Sequence, residues 1–238
     1  MATSGLDLKM AGSAGSDVVI VGAGVVGLAT AMALVKQGVR PLVLEAENTL
    51  GAHQTGHNSG VIHSGLYYKP GSQKAETCRA GREALYAFCE MHGVPVRRTG
   101  KLVVATEQAQ VPQLDRLLTR GIQNGLQGIQ RLSQEMLRDL EPEATGVGAL
   151  WVPQTGVVDY REVLRAMHLV LDEQGVEIVM NSRVIDIRKG GVSLEISTQD
   201  ATYRSSFLIN CAGLQCDRIA ELCGLKMPIR IIPFRGEY

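Results

Sequence analysis

The chain has 238 residues, 45% of them hydrophobic, enough for one large core or two smaller ones. Its 24 basic and 24 acidic side chains cancel, which excludes the basic bias of a general nucleic-acid binder. No apolar run reaches the ~20 residues of a bilayer span, and the five cysteines, without a C-x-x-C pair, read as reduced, mostly buried thiols of a cytosolic-type compartment.

Residues 1–16, "MATSGLDLKMAGSAGS", are small and polar. They lack the apolar core of a signal peptide and the arginines of a transit peptide, and are expected to form a disordered leader. Residues 17–45 read as β-α-β: the run "DVVIV", a glycine turn, helical apolar spacing through "VVGLATAMALVKQG" to Gly38, and a second strand in "RPLVLEAE". Next comes a polar, glycine-rich stretch, "GAHQTGHNSGVIHSGLYYKPGS" (51–72), which holds three of the five histidines. A helix is predicted over 73–92, capped by Ser72 and ended by Gly93, with Cys78, Leu85, Phe88 and Cys89 on one face. "VPVRRTGKLVVATE" reads as two strands around a turn at Thr99 and Gly100. Pro112 starts a helix with Leu114, Leu117, Leu118 and Ile122 inward, and a short helix in "LSQEMLRDLEP" stops before Pro142. "GALWVPQTGVVDY" is extended. Asp159 and Glu162 match a capping box opening a helix with Val163, Leu164, Met167, Val170 and Leu171 on one side, which stops at Gly175. Strands follow at 176–179, 183–188, 192–197 and 203–210, then a turn and short helix in "NCAGLQCDRIAELCG" and a last strand in "MPIRIIPFRGEY". This alternation predicts an α/β protein with a parallel sheet and antiparallel insertions near 94–150.

The segment "GAGVVG" places Gly22, Gly24 and Gly27 as G-x-G-x-x-G between a strand and a helix, with Val25 and Val26 opening the helix. Gly22 makes the tight turn, Gly24 admits a pyrophosphate to the backbone, and Gly27 lets the helix pack on the strand. Glu45, 18 residues after Gly27 at the end of the second strand, suits ribose hydroxyls, and no Arg follows it to receive a 2′-phosphate. The pattern alone does not separate NAD from FAD.

Two later segments do. "GHNSGVIHSGLYY" and "PFRGEY" resemble the FAD-dependent L-2-hydroxyglutarate dehydrogenases (also called oxidases) of the D-amino-acid-oxidase-like flavoprotein superfamily, and the resemblance runs from about Asp17 to Tyr238. "IHSGLYY" is similar to the "IHGGLRY" of glycerol-3-phosphate dehydrogenases. "LINCAG" (208–213) resembles the strand-then-Ala-Gly turn beside the cofactor, which implicates Ala212 and Gly213. "NSRV" (181–184) resembles the segment whose backbone, at Val184, meets the adenine. The resemblance implies a Rossmann-type FAD-binding domain with a discontinuous antiparallel-sheet (α+β) substrate domain. The corresponding segments are 17–93 and 151–224 for FAD binding, 94–150 for the substrate domain, and 225–238 for the start of its second segment. Members of this family continue beyond that point, so the chain is expected to be the N-terminal part of such an enzyme, truncated at its C-terminus.

The implied reaction oxidises L-2-hydroxyglutarate to 2-oxoglutarate: C2–H leaves as hydride to flavin N5, and the hydroxyl proton needs a base in contact with it. An imidazole suits this near neutral pH. His63, which matches the histidine of "IHGGLRY", is the first candidate for base or substrate partner. His57 is second, as a flavin contact, and His53 third. Asn58, Ser59 and Gly60 can bring amide dipoles to the flavin. The i, i+4, i+10 spacing of the three histidines fits no metal site, so none is assigned. Tyr67, Tyr68 and Arg235 are candidate anchors for a dicarboxylate, with Lys69, Arg97, Arg98 and Lys101 behind them. A quinone or oxygen is the implied electron acceptor, and the location is expected to be cytoplasmic with peripheral contact at the membrane. The competing readings are an amine or amino-acid oxidase on the same fold and a non-catalytic FAD-binding fragment.

Overall fold

The structure, a computed structural model, describes residues 16–234. The expected leader, apart from Ser16, and Arg235 lie outside the described residues.

The first β-α-β unit forms as its apolar pattern predicts. β1 (Val18–Val21) and β2 (Leu42–Leu44) are buried throughout, and α1 (Val25–Val35) between them buries Gly27, Leu28 and Ala31. After the two-residue β3 (Val61–Ile62), α2 (Gln73–Met91) begins where the Ser72 hydroxyl accepts a hydrogen bond from the Ala75 amide at 3.3 Å. It ends before Gly93, whose φ is +67°. The inward face of α2 is Ala75, Arg82, Tyr86 and Cys89, so of the four residues expected there only Cys89 is fully buried. Ser72→Ala removes the cap and is expected to cost about 1 kcal/mol, read as a lower denaturant midpoint at unchanged slope.

β4 (Val96–Arg97) and β5 (Lys101–Ala105) flank the predicted turn but do not pair with each other. Gly100, at φ +67°, lies between the two strands and against Trp151; a Cβ there would lie 2.0 Å from the indole. α3 (Val111–Gln123) buries Leu114, Leu117 and Gly121. The helix makes its close approach at Gly121, against Ile129 and Leu66. The next residue, about 100° further round the helix, is therefore turned out: Ile122 is 59% exposed, contrary to expectation.

β6 (Gln130–Ser133) was not expected, because a single buried apolar residue, Leu132, marks it. α4 (Gln134–Leu140), β7 (Gly148–Val152), β8 (Gly156–Val158), α5 (Tyr160–Glu173) and β9 (Ile178–Val179) follow. Val163, Leu164, Met167 and Leu171 form the buried side of α5. β10 (Asp186–Gly190), β11 (Ser193–Ser197), β12 (Thr202–Ser205), β13 (Phe207–Asn210) and α6 (Cys216–Leu222) complete the order. The run read as one strand over 203–210 is two: β12 lies antiparallel to β11, and β13 lies parallel to β1. The strand expected in "MPIRIIPF" does not form. Ile229, Ile232 and Phe234 are exposed, and among the described residues no strand pairs with this stretch to take up its backbone groups.

The described residues divide into two compact units, one of residues 16–59 and 160–234 and one of residues 60–159. In the first, a parallel sheet runs β13-β1-β2-β9, beside an antiparallel sheet β10-β11-β12. Val19, Val21, Leu42, Leu44, Val184 and Ile187 are central to its core. The second holds two antiparallel sheets, β3-β8-β4 and β5-β7-β6, with Leu66, Leu114, Leu117, Leu150 and Val152 in its core. The division falls after Ser59 and Asp159, whereas the sequence placed it near 93 and 150. The difference is α2, which packs with residues 60–159: Arg82 donates to the Ser64 carbonyl at 2.8 Å, and the Tyr86 hydroxyl to the Gln154 carbonyl at 3.5 Å. The five cysteines are free thiols, yet only Cys89 is fully buried; the other four are half-buried, against the expectation for most of them. No helix of the described residues is long and apolar enough to cross a membrane.

Candidate dinucleotide site and histidine loop

The carboxyl ends of β1, β2 and β13 converge in the first unit. Gly22 leaves β1 at φ +102°, and a Cβ on it would lie 2.5 Å from the Cys211 carbonyl oxygen, so only glycine fits between the two strand ends. A Cβ on Gly27 would lie 1.9 Å from the Gly22 carbonyl oxygen; this glycine sets how closely α1 approaches the turn. Gly24 has ordinary backbone angles, φ −72° and ψ 178°, and its space is bounded by the Thr55 hydroxyl, 3.1 Å from where a Cβ would be.

Gly24 is the N-cap of α1 and contributes no side-chain cap, and the first turn has no acidic residue. The positive end of the helix is thus left for an external anion. Val26, on that first turn, is 64% exposed. The Glu45 carboxylate is fixed at the end of β2 by two backbone donors, Ala23 N–H at 2.7 Å and Glu47 N–H at 3.0 Å. A carboxylate has about four lone-pair sites, so capacity remains for hydroxyl donors. The segment carrying Val184 runs alongside: the Ser182 amide donates to the Glu45 carbonyl at 2.7 Å and the Asn181 amide to the Glu47 carbonyl at 2.9 Å. Ala212 and Gly213 follow β13 directly, with the Ala212 amide held by the Asn210 side chain at 3.2 Å and its Cα against Gly22.

Residues 51–58 fold into a tight loop in the same unit. The Thr55 hydroxyl accepts from the Val25 amide at 3.2 Å, so the loop touches the start of α1. Sequence reasoning missed Thr55, because nothing in the spacing of a lone threonine reveals that contact. Arg161 on α5 donates to the Gly56 carbonyl at 3.1 Å, and Asn58 spans the Gln54 and Thr55 carbonyls at 3.1 and 2.7 Å. The His57 ring is exposed, with Nδ1 3.0 Å from the His53 carbonyl, and His53 pairs with Glu47 at 3.3 Å. Asn58 and Ser59 are exposed.

The second unit carries the rest of the histidine stretch. Gly60 opens β3, with φ +67° and a Cβ position 2.6 Å from the Val158 carbonyl. The His63 side chain is exposed, whereas Ser64, Gly65 and Leu66 after it are buried. Tyr67 is exposed and Tyr68 half-buried. The Lys101 ammonium lies 4.4 Å from the centre of the Tyr67 ring, and 3.5 Å from its hydroxyl. Arg98 stacks on the Tyr86 ring at 3.6 Å. Burial pushes the Cys78 thiol up, with the Arg82 guanidinium opposing it. The site residues read from the sequence therefore divide: Gly22, Gly24, Val25, Val26, Gly27, Glu45, His57, Asn58, Ser59, Val184, Ala212 and Gly213 belong to the first unit, and Gly60, His63, Tyr67 and Tyr68 to the second.

Residues 17–238 match the family described as DAO, FAD dependent oxidoreductase. The chain belongs to that family. It is 43% identical over 224 residues to the L-2-hydroxyglutarate dehydrogenase of Indibacter alkaliphilus, covering 93% of this chain and 56% of that protein. It is 42% identical over 244 residues to the mitochondrial L-2-hydroxyglutarate dehydrogenase of Bos taurus, covering 97% and 53%. Among solved structures it resembles dithionite-reduced, FAD-bound L-alpha-glycerophosphate oxidase of Mycoplasma pneumoniae, with a TM-score of 0.82 and 28% identity over 88% of this chain and 57% of that one. The chain spans about half the length of the curated relatives it matches.

The residues of the first unit fit the cofactor on which this DAO family depends. The start of α1, with no acidic residue in its first turn, suits a pyrophosphate, and the anchored Glu45 carboxylate retains acceptor capacity for a ribose.

Proposed function

We propose that the protein carrying this chain oxidises L-2-hydroxyglutarate to 2-oxoglutarate with FAD as cofactor. The observation that carries this reading is the 41–43% identity to L-2-hydroxyglutarate dehydrogenases along 93–97% of the chain. The glycine-lined turn at the start of α1, with no acidic residue in the first turn of the helix, supports the choice of a dinucleotide.

In this reading the backbone at Gly24, Val25 and Val26 binds the pyrophosphate, Glu45 receives the ribose hydroxyls, and the Val184 backbone meets the adenine. Ala212 and Gly213 border the cofactor, and Asn58, Ser59 and Gly60 set amide dipoles beside its ring system. FAD, when bound, supplies the acceptor for the hydride that leaves C2. His63 takes the hydroxyl proton at the C2 oxygen, so that the alcohol gives up a hydride and a proton and becomes a ketone. His57 serves as a cofactor contact. Tyr67 and Tyr68, with Arg235, hold the two carboxylates of the substrate; a planar guanidinium can pair both oxygens of one of them. The electrons pass on to a quinone or another acceptor. A quinone acceptor would bring a cytoplasmic enzyme into peripheral contact with the membrane surface.

Assaying the FAD-loaded protein with a dye acceptor tests the substrate. Turnover is expected with L-2-hydroxyglutarate and at least ~100-fold lower kcat/KM with glycine, sarcosine and D-amino acids. Preferential oxidation of an amine would replace this reading with that of an amine oxidase. Protein purified without flavin that also fails to take up added FAD would remove the oxidoreductase reading.

A further inference from the structure

The backbone that follows β3 is held by side chains from two helices, none of which was read as functional from the sequence. From α2, the Cys78 thiol donates to the His63 carbonyl at 3.4 Å, and buried Arg82 donates to the Ser64 carbonyl at 2.8 Å. At the end of α3, Asn124 donates from Nδ2 to both the Gly65 carbonyl at 3.0 Å and the Tyr68 carbonyl at 2.9 Å. Arg120 on the same helix donates to the Tyr67 carbonyl at 3.2 Å. Between these ties Leu66 is 1% exposed and belongs to the core of the second unit. The segment has little regular structure of its own beyond one turn, Tyr68 N–H to Gly65 carbonyl at 3.2 Å. Its shape is therefore imposed from outside.

We propose that Asn124, seconded by Arg82, is a positioning residue that fixes the 63–68 backbone and thereby the directions of His63, Tyr67 and Tyr68. The proposal rests on the reading of His63 as base. Asn124 is the key tie because one amide group spans two carbonyls three residues apart, closing the loop around Leu66. Its Oδ1 is buried without a hydrogen-bond partner among the described residues, so these two donor contacts orient the amide. Arg82 can stay buried because Glu83 accepts from its Nη2 at 2.6 Å and neutralises it. A base that must touch a hydroxyl during transfer tolerates little displacement, and about 1 Å can cost about 100-fold in rate.

The test uses the FAD-loaded, full-length protein with Asn124→Ala and with Asn124→Asp, which keeps the size but not the donors, each with and without His63→Ala. Backbone amide exchange over residues 63–68 is expected to rise at least ~10-fold in both variants, while FAD content is unchanged. In the otherwise wild-type background kcat for L-2-hydroxyglutarate is expected to fall about 30-fold. On the His63→Ala background the same substitution is expected to change kcat by less than about threefold, because residues acting through one another are non-additive. Unchanged exchange over 63–68, or equal losses on both backgrounds, overturns the proposal. If His63→Ala leaves kcat intact, the base assignment fails by itself and the exchange result alone decides the positioning claim. Should Asn124→Ala not fold, Asn124→Asp and Arg82→Lys carry the same measurements.

Discussion

Gly27→Ala is expected to yield protein that purifies without FAD, with affinity for added FAD lowered at least ~100-fold. The new Cβ would sit 1.9 Å from the Gly22 carbonyl oxygen, which is backbone and cannot swing aside. Relief requires α1 and the turn to move apart. That movement disperses the start of α1, whose amides the pyrophosphate needs, and overpacking of this kind costs about 1–3 kcal/mol in stability as well. Gly24→Ala separates the two effects. Its φ of −72° is ordinary and its nearest neighbour is the end of a side chain, Thr55 Oγ1 at 3.1 Å, so the fold is expected to survive with its Tm nearly unchanged. The methyl group would press on the Thr55 hydroxyl, which holds the Val25 amide at the start of α1, and FAD affinity should fall. Flavin absorbance per protein and a thermal melt, measured on both variants, check the pair. Full FAD occupancy in Gly27→Ala would mean that the cofactor does not use this turn.

His63→Ala is expected to lower kcat for L-2-hydroxyglutarate by about 10²–10⁴, the usual contribution of a positioned general base. The side chain is exposed, so removing it should change stability by no more than about 0.5 kcal/mol, and flavin content should stay the same. His57→Ala provides the comparison. Its ring leans on its own loop through the His53 carbonyl at 3.0 Å, and its expected role is cofactor contact, so the fall in kcat should stay below about 10-fold. Steady-state kinetics with a dye acceptor distinguishes the two. Equal losses in both variants would point to a shared structural role for the stretch instead of a base at position 63.

Much of the first unit was legible because its signals are local. Continuous apolar runs gave β1 and β2, and the spacing of Gly22, Gly24 and Gly27 matched the two backbone clashes that forbid any other residue at the outer positions. The ends of α2 were legible for the same reason: Ser72 caps it and Gly93, at positive φ, ends it. Features that depend on distant partners were not. Thr55 reaches the start of α1 across 30 positions of sequence, and Asn124 reaches the Gly65 carbonyl across 59. The strands at 96–97 and 101–105 were found, but not that they enter different sheets, because their partners, β8 and β7, lie much further along the chain. The apolar pattern after Met227 reads as a strand in any window, yet a strand also requires a neighbour to take its hydrogen bonds, and composition cannot supply that.

The proposed reaction needs an imidazole at position 63 to take the hydroxyl proton of the substrate. A structure of the protein with FAD and 2-oxoglutarate bound tests that role most directly. A ring nitrogen of His63 is expected within hydrogen-bonding reach of the C2 oxygen, about 2.6–3.2 Å, with the pyrophosphate at the start of α1. A ketone oxygen met by some other side chain, with His63 turned to solvent, would contradict it.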